Sequence, residues 1–159
     1  MRISIVAVGK IKERYLAEGI GEFAKRLGPF CRLDIAELAE ERMPDSPSPA
    51  DKAKVLAREG ERLLKAVRPA SHLIVLDRGG ARLSSEDLAA RLDTLTLAGK
   101  SDLTFVIGGA FGLAPAVLEA AAEKLSFSAL TFTHQMIRLL LVEQLYRAFK
   151  ISRGEPYHL

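Results

Sequence analysis

The sequence alternates between short apolar runs rich in β-branched residues and longer segments whose apolar side chains recur at helical spacing. The runs predict buried strands, and the longer segments predict amphipathic helices. This alternation is typical of an α/β fold with a mostly parallel sheet and helices on both faces, in which ligands bind at the carboxyl ends of the strands. The predicted strands are residues 3–8, 31–37, 72–77, 103–107 and 129–132, and the predicted helices are 12–27, 51–67, 84–99, 115–125 and 135–151.

Length and composition suit one compact domain spanning residues 1–159, since 48% of the 159 residues are hydrophobic. Neither an internal repeat nor a second domain boundary is visible, and residues 40–49 read as an exposed proline-containing loop. The formal net charge of +3 permits an RNA partner without establishing one.

Cys31 is the only cysteine, and its apolar neighbours predict a buried structural thiol. One cysteine excludes an intrachain disulfide, and the three histidines lack metal-ligand spacing, so we expect no metal site. The apolar N-terminal run is short and is followed by charged residues without a small-residue cleavage site. No apolar stretch is long enough to span a bilayer, so we expect a cytoplasmic protein with no membrane segment.

A glycine-rich loop at residues 108–112 follows the fourth predicted strand. It would let the backbone approach a ligand closely, but it matches neither the dinucleotide fingerprint nor a P-loop. Taken alone, a tight turn between strand and helix is the simpler interpretation.

Arg138 projects from an apolar face of the last predicted helix, beside Val142, Leu145 and Phe149. An unpaired guanidinium there would be costly, so it forms either an interface salt bridge or a phosphate or substrate clamp in a cleft shared by two protomers. Helical geometry does not separate these alternatives. The helix has a second apolar side, which predicts burial against another subunit.

Tyr157 and His158 combine an aromatic face with polar tips in the stiffened C-terminal tail, which suits stacking on an unpaired RNA base. The alternative is an ordinary frayed terminus. His72 begins a predicted strand and is assigned a structural role. For His134, just before the last helix, capping or packing explains the residue at least as well as chemistry.

Blocks distributed along the whole chain resemble one family, the RlmH family of 23S rRNA pseudouridine N3-methyltransferases in the SPOUT superfamily. The C-terminal blocks are long and specific. The blocks are 8–13 (VGKIKE), 105–113 (FVIGGAFGL), 125–128 (LSFS), 131–135 (TFTHQ) with Arg138, 143–151 (EQLYRAFKI) and 154–158 (GEPYH).

The resemblance implies a C-terminal deep trefoil knot, which chain topology alone would have excluded, and a homodimer packed through the knot region. It implies S-adenosylmethionine as methyl donor and, as substrate, a pseudouridine in a 23S rRNA hairpin loop (helix 69) of assembled ribosomes. By position in the motifs, the catalytic residues would be Arg138, Tyr157 and His158. The implied cofactor contacts are Leu76, Gly108, Phe127, Ser128, Ala129, Leu130, Thr131 and Phe132.

The chain departs from the family pattern at two positions. Thr133 stands where the family usually has proline, and Leu159 ends the chain where a basic residue is usual. The second departure removes a basic group beside the proposed RNA site.

No strong general base is evident in the motifs. A positive field from Arg138, with hydrogen bonding from Tyr157 or His158, would favour the deprotonated imide nitrogen, although all three residues also suit pure binding. Two rival functions are a doubly wound nucleotide-binding enzyme and a ribosome-binding factor that has lost catalysis. Basic residues that would track rRNA phosphates are Lys10, Lys12, Arg14, Lys25 and Arg26.

Overall fold

The computed structural model describes residues 1–157, so His158 and Leu159 lie outside the described residues. Strands and helices alternate along the chain as the hydrophobic pattern predicts. The elements are β1 (Arg2–Val8), α1 (Arg14–Leu27), β2 (Arg32–Leu38), α2 (Pro49–Ala66), β3 (His72–Arg82), α3 (Ser85–Leu97), β4 (Asp102–Ile107), α4 (Pro115–Ala120), β5 (Glu123–Ser126) and α5 (His134–Ser152).

The five strands form one parallel sheet in the order β2-β1-β4-β3-β5. Successive residues of a strand point to opposite faces, and both faces are buried here. On one face Ile3, Ile5 and Phe105 pack with apolar residues of α1, α3 and α5. On the other face Val6 and Val106 pack with residues of α2 and α4. The predicted α/β class, with helices on both faces of a parallel sheet, is confirmed.

Two helices begin at capping boxes. The Ser84 side chain accepts a hydrogen bond from the Asp87 backbone N–H, and the Asp87 carboxylate accepts one from the Ser84 N–H. This start of α3 agrees with the sequence prediction. Ser48 and Asp51 form the same arrangement at the start of α2, with Pro49 in the first turn.

The fifth strand lies earlier in the chain than predicted. The segment 115–125, expected to be one helix, forms the short α4 and then β5, while residues 129–132 form a loop instead of a strand. Only Leu125 in β5 is a large apolar residue, so propensity gives almost no strand signal. Pairing with β3 determines this strand, because tertiary context overrides weak local preference.

β3 approaches the backbone of β5, its parallel neighbour, very closely at Gly80. Leu76 and Ala81 of β3 both pair with Leu125, with a register break between them. A Cβ atom added to Gly80 would lie 2.6–2.7 Å from backbone atoms of Lys124 and Leu125, so only glycine fits there. The chain after Leu76 therefore passes directly against the backbone of β5.

α5 is largely, but not completely, covered by its own chain, since Ile137 and Leu140 are only half-buried. The helix packs between α1 and α3, and Leu141, Val142, Leu145 and Ala148 are buried. Two helices of the same protomer therefore cover part of the apolar surface of α5, and burial of the rest against another subunit stays a prediction.

Cys31 is buried, and burial raises the pKa of its thiol to about 11, so the prediction of an unreactive structural thiol is confirmed. Within residues 1–157, no helix is both long and apolar enough to cross a membrane. The same residues contain no group of three His, Cys, Asp or Glu side chains placed to hold a metal ion.

Candidate active site at the carboxyl edge of the sheet

A cavity of about 890 Å³ opens at the carboxyl ends of three neighbouring strands, β4, β3 and β5. Its walls are the last residues of β4 and β5 with the loops that follow them, the part of β3 at its register break, and the first turn of α5. The parallel topology brings these segments together although they are far apart in the sequence. The lining residues are 76–78, 107–113, 125–128, 130–135 and Ile137.

The glycine loop after β4 is folded back on itself. Gly109 and Gly112 form an isolated antiparallel bridge, and Gly112 has φ +83°, which favours glycine. A Cβ atom on Gly108 would overlap the carbonyl oxygen of Gly112, so Gly108 must lack a side chain for the loop to close. The backbone at this wall of the cavity is consequently free of side-chain obstruction.

Seven of the eight predicted cofactor residues line this cavity, and Ala129 is not among the lining residues. The loop 127–132 is held by two short hydrogen-bonded turns. The Ser126 hydroxyl donates to the Ser128 carbonyl at 3.1 Å, and the Leu130 N–H donates to the Ser128 hydroxyl at 2.9 Å.

Arg138 lies one turn into α5, next to the cavity but not in its lining. Its guanidinium is 2% exposed and donates to Glu37 Oε2 at 2.8 Å and to the Val8 carbonyl at 3.0 Å. Nε is buried and has no hydrogen-bond partner among the described residues. Burial lowers the pKa of Arg138 and the Glu37 carboxylate opposes that effect, so the cation is retained through an ion pair within one protomer.

Glu37 and Gln135 connect the start of α5 to the loop after β1. Glu37 Oε2 also accepts from the Ile11 N–H at 2.7 Å. Gln135 Oε1 accepts from the Lys12 N–H at 3.0 Å. These bonds hold the lysine-containing loop 9–13 beside the cavity.

Thr133 is the N-cap of α5, and its hydroxyl accepts from the Met136 N–H at 3.2 Å. Proline, the usual residue of the family here, has no side-chain acceptor for this bond. The departure at Thr133 therefore adds a helix cap.

His134 follows that cap and lines the cavity. Its Nε2 is buried, lies 3.5 Å from Glu40 Oε1 and has no hydrogen-bond partner among the described residues. Burial and the nearby cations of Arg138 and Lys12 lower the pKa of His134, while Glu40 raises it. The balance favours a neutral imidazole at neutral pH.

Tyr157 packs against the middle of α5, away from the residues that line the cavity. Its hydroxyl donates to Glu143 Oε1 at 2.9 Å, and its ring meets the Tyr146 ring edge-on at a centroid distance of 4.8 Å. Burial and Glu143 raise the pKa of the phenol, so it stays protonated. Within one chain, Arg138 and Tyr157 do not converge on the cavity, and His158 lies outside the described residues.

Three carboxylates near the site were missed by sequence reasoning. Glu37 and Glu40 contact Arg138 and His134, which lie 101 and 94 positions away in the chain, so spacing gave no signal. Glu59 of α2 is 6% exposed, and its Oε2 lies 3.2 Å from where a Cβ on Gly109 would be. Burial raises the pKa of Glu59 despite a hydrogen bond from the Glu41 N–H.

The family model described as "Predicted SPOUT methyltransferase" matches residues 1–158. The protein named "Ribosomal RNA large subunit methyltransferase H" from Carboxydothermus hydrogenoformans is 55% identical over 158 residues, which cover 99% of each chain. The protein of the same name from Desulforamulus reducens is 52% identical with the same coverage.

Two solved structures share the fold at low sequence identity. A probable methyltransferase from Bordetella pertussis matches with a TM-score of 0.54 at 19% identity, covering 92% of this chain and 95% of that one. A probable methylase family protein from Haemophilus influenzae matches with a TM-score of 0.51 at 16% identity, covering 99% and 70%. With a family match over nearly the whole chain and relatives more than half identical, this chain belongs to the SPOUT methyltransferase family, in the group of the large-subunit methyltransferase H proteins.

Proposed function

We propose that this protein transfers a methyl group from S-adenosylmethionine to N3 of a pseudouridine in a 23S rRNA hairpin loop (helix 69) of assembled ribosomes. One observation carries the proposal: the loops after β4 and β5, together with β3 from Leu76 onward, line a single cavity that contains seven of the eight cofactor residues expected from the family motifs. The relatives' name supplies the rRNA substrate class. Because the proposed substrate is the assembled ribosome, the protein would act in the cytoplasm.

The cavity suits an adenosyl compound. Its volume of about 890 Å³ falls within the range of small-molecule sites, roughly 300–1,000 Å³. Leu76, Ile107 and Phe127 offer apolar surface for adenine, while backbone groups of Gly108 and of 127–132 are available for polar atoms. Asp77 places a carboxylate in the lining that would suit a cationic group.

S-adenosylmethionine supplies a methyl group already activated by a sulfonium centre, so the protein need not generate an electrophile. The residues of this chain have to orient the accepting base and favour loss of its imide proton. Arg138 supplies a fixed positive charge beside the cavity, because Glu37 and the Val8 carbonyl hold its guanidinium in place. Tyr157 and His158 are proposed to contact the base.

We further propose that the active unit is a homodimer in which the C-terminal tail of one chain closes over the cavity of its partner. Two facts support a role in trans. Tyr157 contacts Glu143 and Tyr146, not the cavity lining of its own chain. The exposed side chains of Phe111, Leu130 and Phe132 give the cavity mouth an apolar rim that a second chain could cover.

The trefoil knot is likewise proposed for this chain from its family. The register break in the β3–β5 pair, where Gly80 lies directly against the backbone of Lys124 and Leu125, supports a tightly packed chain path at this edge of the sheet.

The rRNA contacts are proposed to include Lys10, Lys12 and Arg14, which lie in the loop after β1 and at the start of α1. Lys12 is held next to α5 by Gln135. If these cations neutralise rRNA phosphates, ribosome association weakens steeply as salt rises. Association that does not respond to salt would contradict their role.

The proposed function is tested by mass spectrometry of 23S rRNA from cells that lack this protein. We expect one pseudouridine to lose a methyl group, and the unaltered gene to restore it. Arg138→Ala should fail to restore it, since the substitution removes the buried positive charge beside the cavity and the ion pair that joins α5 to Glu37. An unchanged rRNA methylation pattern in the deletion strain would refute the proposed function.

A further inference from the structure

Methylation of an imide nitrogen requires a proton acceptor, and the sequence motifs do not reveal one. Among the described residues that line the cavity, the titratable side chains are Asp77, Arg78 and His134. Asp77 Oδ2 already accepts the Gly79 N–H at 2.9 Å, and an arginine is always protonated. His134 is the remaining lining residue that can take a proton near neutral pH.

The imidazole ring of His134 is held in a specific environment formed by Glu40 and Gly9. Its Nε2 faces Glu40 Oε1 at 3.5 Å in a position without solvent access, and no described residue completes a hydrogen bond to it. Gly9 makes room for this approach. A Cβ atom at Gly9 would lie 2.5 Å from Glu40 Oε1 and 3.1 Å from His134 Nε2, and its φ of +88° also favours glycine.

A carboxylate beside one ring nitrogen fixes the tautomer of a histidine and leaves the other nitrogen as an acceptor. Glu40 Oε1 is 3.5 Å from Nε2, so a small movement of either side chain would complete a hydrogen bond from Nε2 to the carboxylate; the proton of a neutral His134 would then reside on Nε2 and Nδ1 would carry the free lone pair. Thr133 fixes the backbone at this point by capping α5, and Gln135 ties the same turn to Lys12.

Charged groups from three segments act on His134. Arg138 lies one turn later in α5, Lys12 lies in the loop after β1, and Glu40 lies in the loop after β2. Together with burial, the two cations lower the pKa of His134, and Glu40 opposes them. The ring is therefore unprotonated and available as a base at the pH of the cytoplasm.

We propose that His134 is a catalytic residue that accepts the imide proton of the bound base, and that Glu40 is the residue that positions its ring. The N3–H bond breaks, the proton bonds to Nδ1, and the electron pair left on N3 becomes available to the transferred methyl group. The imidazolium that forms is stabilised by the Glu40 carboxylate. This inference rests on the proposed function, because it requires an imide as the acceptor.

The proposed interaction between His134 and Glu40 is tested first without turnover, by NMR titration of the three histidines in the full-length protein. His134→Gln identifies the His134 resonance. We expect a pKa below 6.5 for His134, and Glu40→Gln should lower it further by removing the one carboxylate that raises it. A His134 pKa that Glu40→Gln leaves unchanged or raises would overturn the pairing.

The catalytic role is tested by single-turnover methylation of ribosomes across a pH range. His134→Gln should reduce the rate about 100-fold, the usual size of a general-base contribution, and make it rise log-linearly with pH because solvent must then remove the proton. In Glu40→Gln the acid limb of the profile should shift to lower pH, in step with the NMR titration. Calorimetry should show unchanged S-adenosylmethionine affinity for both variants.

His72→Gln is the matched control, since His72 is bonded to Glu123 at the opposite edge of the sheet, and its rate should equal that of the unaltered protein. A full rate in His134→Gln, or a loss of cofactor affinity that accounts for the lost rate, would overturn this inference alone. Absence of methyl transfer by the unaltered protein would instead overturn the proposed function.

Discussion

The two edges of the sheet use charged residues differently. At the amino edge, Arg68 contacts Asp34 and Asp102, and Arg2 contacts Asp34 at 3.3 Å. Arg68 has two buried nitrogens without hydrogen bonds in the described chain, yet its charge lies between two aspartates. At the carboxyl edge, glycines and apolar side chains surround a cavity. His134 also lines it, and its buried Nε2 has no hydrogen-bond partner among the described residues.

The amino edge also contains a compact group of three residues, in which Arg91 and His72 both contact Glu123. Arg91 donates to both of its carboxylate oxygens, at 3.0 and 2.7 Å, and His72 Nε2 lies 2.5 Å from Oε1. These bonds join α3 to the first residues of β3 and β5. Polar groups at the amino edge mainly pair with one another, whereas those at the carboxyl edge border a cavity that can hold a ligand. Substitutions at the two edges should therefore separate stability from binding.

The largest expected effect is at the carboxyl edge. Gly108→Ala forces the new Cβ into the Gly112 carbonyl, so the loop must open. We expect calorimetry to show S-adenosylmethionine binding weakened by about 100-fold, equal to about 2.7 kcal/mol. The matched control is Gly21→Ala in α1, where a Cβ meets nothing within 4 Å. That variant should keep full affinity and gain up to about 1 kcal/mol of stability. Equal affinities for the two variants would show that the loop does not hold the cofactor.

A smaller effect, confined to stability, is expected at the amino edge. Glu123→Gln removes the charged acceptor shared by Arg91 and His72, and should lower the free energy of unfolding by about 1–2 kcal/mol in urea titrations. Arg91 and His72 hold the pKa of Glu123 below its usual value of 4.5. The stabilisation is therefore present above pH 4.5 and is lost as pH falls through the folded-state pKa. If cofactor affinity changed as much as stability, the two edges would not be independent.

The smallest effect on stability is expected for a substitution of Glu59, which lies next to Gly109 of the glycine loop. Burial raises the pKa of Glu59 above 4.5, so the folded protein binds its proton more tightly than the unfolded chain, and stability falls as pH rises past that value. Glu59→Gln keeps an acceptor for the Glu41 N–H without the charge. It should raise stability at pH 8 by about 0.5 kcal/mol or less. Thermal unfolding at pH 8 and pH 4 measures this, and a loss of stability at pH 8 would contradict it.

Sequence patterns predicted the strands and helices whose own residues carry a clear apolar run or amphipathic periodicity. The apolar runs of β1, β3 and β4 are strands within one or two residues at their starts, and the charged amphipathic helices α1 to α3 follow their periodicity. β5 was misplaced because its residues, Glu123–Ser126, carry little strand preference and are ordered by pairing with β3. The apolar residues 129–132, which looked like a strand, line the cavity as a loop.

The candidate site likewise contains residues that the sequence could predict and residues that it could not. That Leu76 and Gly108 lie at one edge was predictable, because Leu76 is near the end of one predicted strand, Gly108 follows another, and parallel strands end at one edge. The partners of Arg138 and His134 were not, since Glu37 and Glu40 meet them only through the folded sheet. The helical pattern of α5 predicted its buried side correctly, with Leu141, Val142, Leu145 and Ala148 covered by α1 and α3, while packing of its half-buried residues against a second chain stays a prediction.

The most direct test of the central claim is calorimetric titration of the full-length protein with S-adenosylmethionine, with a nicotinamide dinucleotide and a flavin titrated in parallel. We predict stoichiometric binding of S-adenosylmethionine that Gly108→Ala abolishes or greatly weakens, and no binding of the other two. Absence of S-adenosylmethionine binding, or preferential binding of a dinucleotide or flavin, would contradict the assignment of the cavity.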